Sequence, residues 1–197
     1  MTPTPKDVRR NRGVLLLIAV LFLGSLVFAG ILRFSGWRPA GTKNFGELLD
    51  PPGDLRALTP GLLSGGDYRW EPRARMWRIA IAPPADCGDA CVRVAGQLDL
   101  VWQLMGKDAD HVDVLWLCAD SRCEVPAPLA REPSLRRLRA DAALRAGLPR
   151  NDIDAAAPQR GLPVYVIDPN GFVILRYAPG FDPGGLRADL AKLTKLM

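Results

Sequence analysis

The chain has 197 residues, 48% of them hydrophobic, which suits one domain of ordinary size with an appendage and excludes two full domains. Its formal charge of +5 is mostly local: residues 1–33 hold five basic side chains and one acid, contribute +4, and leave +1 for residues 34–197. With only +1 left on residues 34–197, the charge balance of the domain makes no case for a nucleic-acid partner.

Val14 to Leu32 is an apolar stretch without a charge, about the length needed to cross a bilayer. Lys6, Arg9, Arg10 and Arg12 precede it, and the positive-inside rule places them in the cytoplasm. A cleaved signal peptide would carry a shorter apolar region, and Val27-Phe28-Ala29 is only a passable cleavage site, so the stretch reads as a retained anchor in a bacterial inner membrane. The expected layout is a cytoplasmic N-terminus (1–13), a single transmembrane anchor (14–33), a periplasmic linker (34–60) and a folded periplasmic domain (61–197).

The linker is rich in Gly and Pro and contains one motif-like patch, Thr42-Lys43-Asn44-Phe45-Gly46-Glu47-Leu48-Leu49-Asp50-Pro51, read as docking on the domain. Leu62 to Trp70 carries the turn signal Gly65-Gly66-Asp67, which predicts a loose hairpin. A first strand is predicted over 76–82, ended by Pro83-Pro84, followed by a helix from about Ala90 to Met105. Val112 to Leu117, dense in apolar and β-branched residues, predicts a second strand. A strand–helix–strand unit of this kind makes the two strands parallel, with a right-handed crossover. After the loop Cys118 to Cys123, the pattern from Glu132 to Ala146 predicts a helix stopped by Gly147 and Pro149, and Asn151 to Gly161 reads as irregular. Val164–Ile167 and Phe172–Tyr177 are predicted strands joined by the tight turn Asp168-Pro169-Asn170-Gly171. A final amphipathic helix from Gly184 to Leu196 presents Leu186, Leu190, Leu193 and Leu196 on one side.

The chemistry concentrates in Cys87-Gly88-Asp89-Ala90-Cys91. Cysteines four apart on a helix share a face with Cα atoms roughly 6 Å apart, within disulfide range. They can close a disulfide, cycle as a dithiol, or hold a soft metal such as Cu(I). A thiol at a helix N-terminus is shifted toward its thiolate form, and Cys87 has the better claim to that position. As a redox pair, Cys87 would attack a partner disulfide and Cys91 would resolve the mixed disulfide. Cys118 emerges from the second parallel strand at the same end of the sheet, so the two pairs are expected to be neighbours. A local disulfide Cys118–Cys123 is the reading preferred for the second pair, with exchange or a supplementary ligand role as alternatives.

The order β-α-β-α-β-β-α, with a cysteine pair in the first strand-to-helix turn and Pro163 directly before the third strand, resembles the thioredoxin fold: an α/β protein with a central mixed sheet flanked by helices. The spacing of the cysteines, the anchor and the run Val164-Tyr165-Val166-Ile167-Asp168-Pro169-Asn170-Gly171 resemble the SCO family of copper-handling assembly factors for cytochrome c oxidase. The patch from Thr42 to Pro51 also resembles the juxtamembrane segment of SCO-like membrane proteins of proteobacteria. The resemblance implies a cis-proline at Pro163 facing the active cysteines and able to pair with an incoming chain. It also implies copper held by two thiolates and one histidine. Cys87 and Cys91 match the thiolates, but the histidine position, eight residues before Asp168, is Arg160. His111, the only histidine, begins the second strand, roughly 20 Å from the cysteine turn at about 3.3 Å per strand residue. It reads as an ordinary strand-end residue. The expectation is a thiol–disulfide redox factor centred on Cys87 and Cys91, with oxidase subunits or assembly factors as partners. The alternative is a non-enzymatic Cu(I) carrier or scaffold whose Cys87–Cys91 disulfide is structural.

Overall fold

The computed structural model describes residues 5–36, 43–127, 129–151 and 161–196. They belong to two compact units, 1–42 and 43–197. In the first, α1 (Pro5–Phe34) is a single helix. Its stretch Asn11–Phe34 is long and apolar enough to cross a membrane, and Leu16, Leu21, Phe22, Leu26 and Phe28 are all exposed. A helical stretch of this length that is apolar all round suits a lipid surrounding.

The second unit is a six-stranded mixed sheet of β1 (Glu47–Asp54), β2 (Trp77–Ile81), β3 (Val112–Cys118), β4 (Leu135–Arg139), β5 (Val164–Ile167) and β6 (Phe172–Tyr177), in the order β1-β6-β5-β2-β3-β4. Its helices are α2 (Gly88–Met105), α3 (Ala142–Ala146) and α4 (Pro183–Leu193). β2, β3 and β4 are parallel neighbours, whereas β5 runs antiparallel to β2 and β6 antiparallel to both β5 and β1. The central strands β2, β3 and β5 are buried along their whole length, which explains why they read as nearly continuous apolar runs.

Period-two alternation divides the strand side chains between two cores. Ile79, Ile81, Val114, Trp116, Val164 and Val166 face α2 and α4, packing on Val94, Ala95, Leu98, Leu186 and Leu190. Ala80, Leu115, Leu117, Leu138, Tyr165 and Ile167 form the opposite core with Leu49, Leu55, Leu144 and Leu148.

Two stretches depart from the expectations. The Gly/Pro-rich segment assigned to the linker contains β1, which pairs with β6 (Glu47↔Arg176, Leu48↔Leu175) and resumes past an irregularity at Gly53↔Val173. Pro51 and Pro52 interrupt the ladder, which an edge strand tolerates because its outer N–H groups need no partner. The long helix expected from Glu132 to Ala146 is instead β4 followed by the short α3. Leucine and arginine are good helix formers, but propensity is worth only roughly a few tenths of a kcal/mol per residue, and the open edge of β3 offers a full ladder of hydrogen bonds, Val114↔Leu135 through Cys118↔Arg139. Asp141 then caps α3 by accepting from the Leu144 N–H at 2.6 Å. The predicted hairpin before β2 covers the far edge of β4: Leu63 N–H donates to the Arg137 carbonyl and Arg139 N–H to that of Gly61. This cover, together with exposed Arg137 and Arg139, protects the edge strand from pairing with other chains.

Candidate dithiol site

β2 ends at Pro83 and Pro84, which cannot extend the ladder, and the chain turns into α2 with Cys87 at its N-cap. Gly88 adopts φ +52°, a left-handed conformation open to glycine without steric cost. Cys87 and Cys91 are joined as a disulfide with Cα atoms 5.4 Å apart. The two sulfur-bearing residues are not equivalent: Cys91 is buried in the core under α2, while Cys87 is half-buried at the surface. On reduction, the unpaired N–H groups and positive dipole end of an 18-residue helix favour charge on Cys87. The arrangement therefore supplies an accessible nucleophile and a sheltered resolving thiol.

β3 delivers the second pair to the same end of the sheet. Ile81 lies opposite Trp116 in the parallel register, so Cys118, two residues further on, stands beside the loop that leaves β2. Cys118 and Cys123 form a disulfide with Cα atoms 5.4 Å apart, and Cys118 is buried while Cys123 is half-buried. A cleft of about 560 Å³ opens between the two loops. Cys87 and Cys91 border it on one side, Cys123, Val125 and Pro126 on the other, and Trp116 also lines it. Across the back, the Arg145 guanidinium of α3 donates to the Pro83 carbonyl at 3.3 Å, holding the β2–α2 loop.

The other residues singled out in the sequence fall as follows. Pro163 is buried at the start of β5, and the antiparallel register Arg78↔Ile167, Ile79↔Val166, Ala80↔Tyr165 puts it at the cysteine end of the sheet. It is not among the residues lining the cleft, and its peptide bond is trans, since the one cis bond among the described residues is Asp50–Pro51. His111 is exposed at the opposite end, next to Val112, which pairs with Trp77. Arg160 lies outside the described residues. Among the described residues no group of three or more His, Cys, Asp and Glu side chains could hold a metal ion. The two sulfurs, with no third donor among the described residues, do not fit a three-ligand copper centre.

Two buried networks were not legible in the sequence. At the end of the sheet away from the cysteines, buried Arg78 donates from Nε to the Tyr68 hydroxyl at 2.9 Å and from Nη1 to the Asp168 and Pro169 carbonyls at 3.0 Å each. The Tyr68 hydroxyl donates to Asp113 at 2.8 Å; burial, then the Asp113 charge, push its pKa up. At the junction of β1 with α4, the buried Asp189 carboxylate accepts from Phe45 N–H (2.7 Å), Gly46 N–H (3.0 Å), the Tyr177 hydroxyl (2.8 Å) and Lys192 Nζ (3.0 Å). Burial by itself would raise the Asp189 pKa, but the converging donors, Gly46 foremost, hold it below the ordinary carboxylate value. Burial and the neighbouring Asp189 carboxylate raise that of Tyr177. The Phe45-Gly46 patch was a visible signal of docking, but its receptor lies more than a hundred residues away.

Residues 77–197 match the family model described as transmembrane-like, thioredoxin-like, C-terminal domain. Comparison with curated proteins finds no match. Among solved structures, the chain is similar to yeast Sco1 with copper bound, at 16% identity over 80% of this chain and 96% of that one, with a TM-score of 0.50. A SCO1/SenC family lipoprotein from Bacillus anthracis is 14% identical over 74% and 98% of the two chains, TM-score 0.52. BsSco, a Sco family cytochrome c oxidase assembly protein in which a disulfide switch was identified, is 10% identical over 77% and 98%, TM-score 0.51. Identities this low speak to the fold, and the shared fold is the mixed thioredoxin-like sheet described above. The family match extends over more than half of the sequence, and the chain therefore belongs to the transmembrane-like, thioredoxin-like C-terminal domain family.

Proposed function

We propose that this protein is a membrane-anchored thiol–disulfide redox factor whose periplasmic domain serves cytochrome c oxidase biogenesis, with Cys87 and Cys91 as its centre. The observation that carries the reading is the unequal placement of the pair: Cys87 half-buried at the N-terminus of α2 and Cys91 buried one turn later. The basic residues before the apolar stretch of α1 support an N-terminus in the cytoplasm. The likeness to Sco structures, one of them copper-bound and one of an oxidase assembly protein with a disulfide switch, supports the process. The donor set favours the redox reading over copper carriage.

In the reduced state, the Cys87 thiolate attacks one sulfur of a partner disulfide, and the partner's other sulfur leaves as a thiolate. The Cys91 thiolate then attacks Cys87 Sγ, closing Cys87–Cys91 and releasing the partner's second thiolate. Two electrons pass to the partner, and the reverse sequence draws them from a partner dithiol. The helix N-terminus assists both directions by stabilising Cys87 as nucleophile and as leaving group.

The test is differential alkylation of the full-length protein with mass spectrometry across a series of thiol redox buffers. The pair is expected to reduce at a potential above about −300 mV, the region below which structural disulfides lie. Cys87 should then alkylate at least about tenfold faster than buried Cys91, because only exposed thiolate reacts readily. A pair that stays oxidised throughout overturns the redox reading.

A further inference from the structure

Both disulfides are built to one plan. Each joins a core sulfur, on Cys91 or Cys118, to a half-buried one, on Cys87 or Cys123, and Cys87 and Cys123 line one cleft. Parallel pairing of β2 with β3 sends the loops carrying them out at the same end of the sheet. The backbone of Cys118 is held independently of the second disulfide: Cys118 pairs with Arg139 and accepts at its carbonyl from the Ala140 N–H at 3.0 Å. The loop this disulfide closes is short, and short loops gain least from a cross-link. Cys123 lies outside helix and strand, so its sulfur can approach Cys87 without breaking a ladder.

We propose that Cys118–Cys123 is a second redox centre that exchanges electrons with Cys87–Cys91 across this cleft. The proposal rests on the redox reading of the first pair and adds an internal acceptor to it. With the first pair reduced and the second oxidised, the Cys87 thiolate attacks Cys123 Sγ. The Cys118–Cys123 bond breaks, Cys118 leaves as a thiolate and takes up a proton, and a Cys87–Cys123 disulfide forms. The Cys91 thiolate, having lost its proton, attacks Cys87 Sγ, re-forming Cys87–Cys91 and expelling the Cys123 thiolate. One disulfide is made and one broken, two electrons cross the cleft, and no outside reactant is consumed. A partner that reduces the exposed pair thereby loads a second dithiol, so one domain can hold four electrons.

Two measurements on the full-length protein in detergent micelles test this. The Cys91→Ser/Cys118→Ser variant retains Cys87 and Cys123, and mild oxidation is expected to link them within one chain. Trypsin then leaves peptide 79–93 joined to peptide 123–131, a product that mass spectrometry separates from either native disulfide. In the second measurement, reduced thioredoxin is supplied in limiting amount to the wild type and to the Cys87→Ser/Cys91→Ser variant. Reduction of Cys118–Cys123 is expected to slow at least about tenfold without the first pair, because the intramolecular attack by Cys87 across the cleft is then lost. Equal rates in the two proteins, with Cys87–Cys91 itself readily reduced, overturn the relay and leave the redox reading standing. A folded trapping variant that gives no Cys87–Cys123 link also overturns it. Failure of thioredoxin to reduce either pair in the wild type removes both the relay and the reading beneath it. Should the trapping variant not fold, the rate comparison decides alone.

Discussion

Replacing Asp189 with alanine should detach β1 from the sheet's edge and destabilise the domain by about 3 kcal/mol. Three of the four donors to this carboxylate, Phe45 N–H, Gly46 N–H and the Tyr177 hydroxyl, converge on Oδ2. Gly46 and Tyr177 are buried, so alanine orphans both, and each unsatisfied buried group costs about 1–3 kcal/mol. Phe45 is exposed, and water can take over its N–H. The Lys192 ammonium, with half its side chain exposed, adds at most about 1 kcal/mol. Asp189→Asn is the informative control: its amide oxygen can occupy the Oδ2 position and keep the three bonds, losing charge assistance and the Lys192 bond at the Oδ1 position, where an amide NH2 cannot accept, so it should cost about 1–2 kcal/mol. The pKa of Asp189 is depressed in the folded state, so its contribution is complete above the ordinary carboxylate value of 3.8 and is lost as pH falls below that toward the folded value. The gap between wild type and Asp189→Ala should therefore narrow on acidification. Denaturant titration of the full-length protein in micelles, followed by tryptophan fluorescence, measures the loss, and amide exchange at Leu48 and Leu49 reports β1 directly. A loss below about 1 kcal/mol for alanine, or equal losses for alanine and asparagine, would refute the argument that converging donors on a buried carboxylate hold this edge.

Two further predictions concern the opposite end of the sheet and the copper question. Arg78→Met should cost about 2–4 kcal/mol, since it leaves the Asp168 and Pro169 carbonyls without their charged donor, yet leave the alkylation rate of reduced Cys87 unchanged; altered thiol reactivity would show the two ends to be coupled. Arg160→His restores the ligand type that the SCO resemblance places there and should raise Cu(II) affinity at least about tenfold through a third, imidazole donor, with a thiolate-to-copper absorption band. His111→Ala should change neither, and loss of the new band in the Arg160→His/His111→Ala double variant would show that the wrong histidine was binding.

Local pattern determined much of this protein. The apolar, charge-free stretch of α1 from Val14 to Leu32, the strands β2, β3, β5 and β6, the turn at Asp168-Pro169-Asn170-Gly171 and the helix beginning at the cysteine pair are all legible, because strands buried on both faces and an amphipathic helix leave dense periodic signals. The same pattern carried the SCO-like resemblance and placed both cysteine pairs at one end of the sheet, since a parallel βαβ unit fixes which strand ends coincide. It failed where a distant partner overrode local preference. Leu135 to Arg139 has the composition of a helix and becomes β4 only because β3 presents an open edge; Glu47 to Asp54 looks like linker and becomes β1 only because β6 does. Arg78 reads as a break in an apolar strand until the turn carbonyls of 168 and 169 and the Tyr68 hydroxyl are seen around it. The pair Cys87-Gly88-Asp89-Ala90-Cys91 sits between these cases. Its spacing made a disulfide geometrically available, but only packing decided that Cys91 is enclosed, that Cys87 faces a cleft, and that Cys123 stands on the same cleft, because burial depends on what the rest of the chain lays over each sulfur.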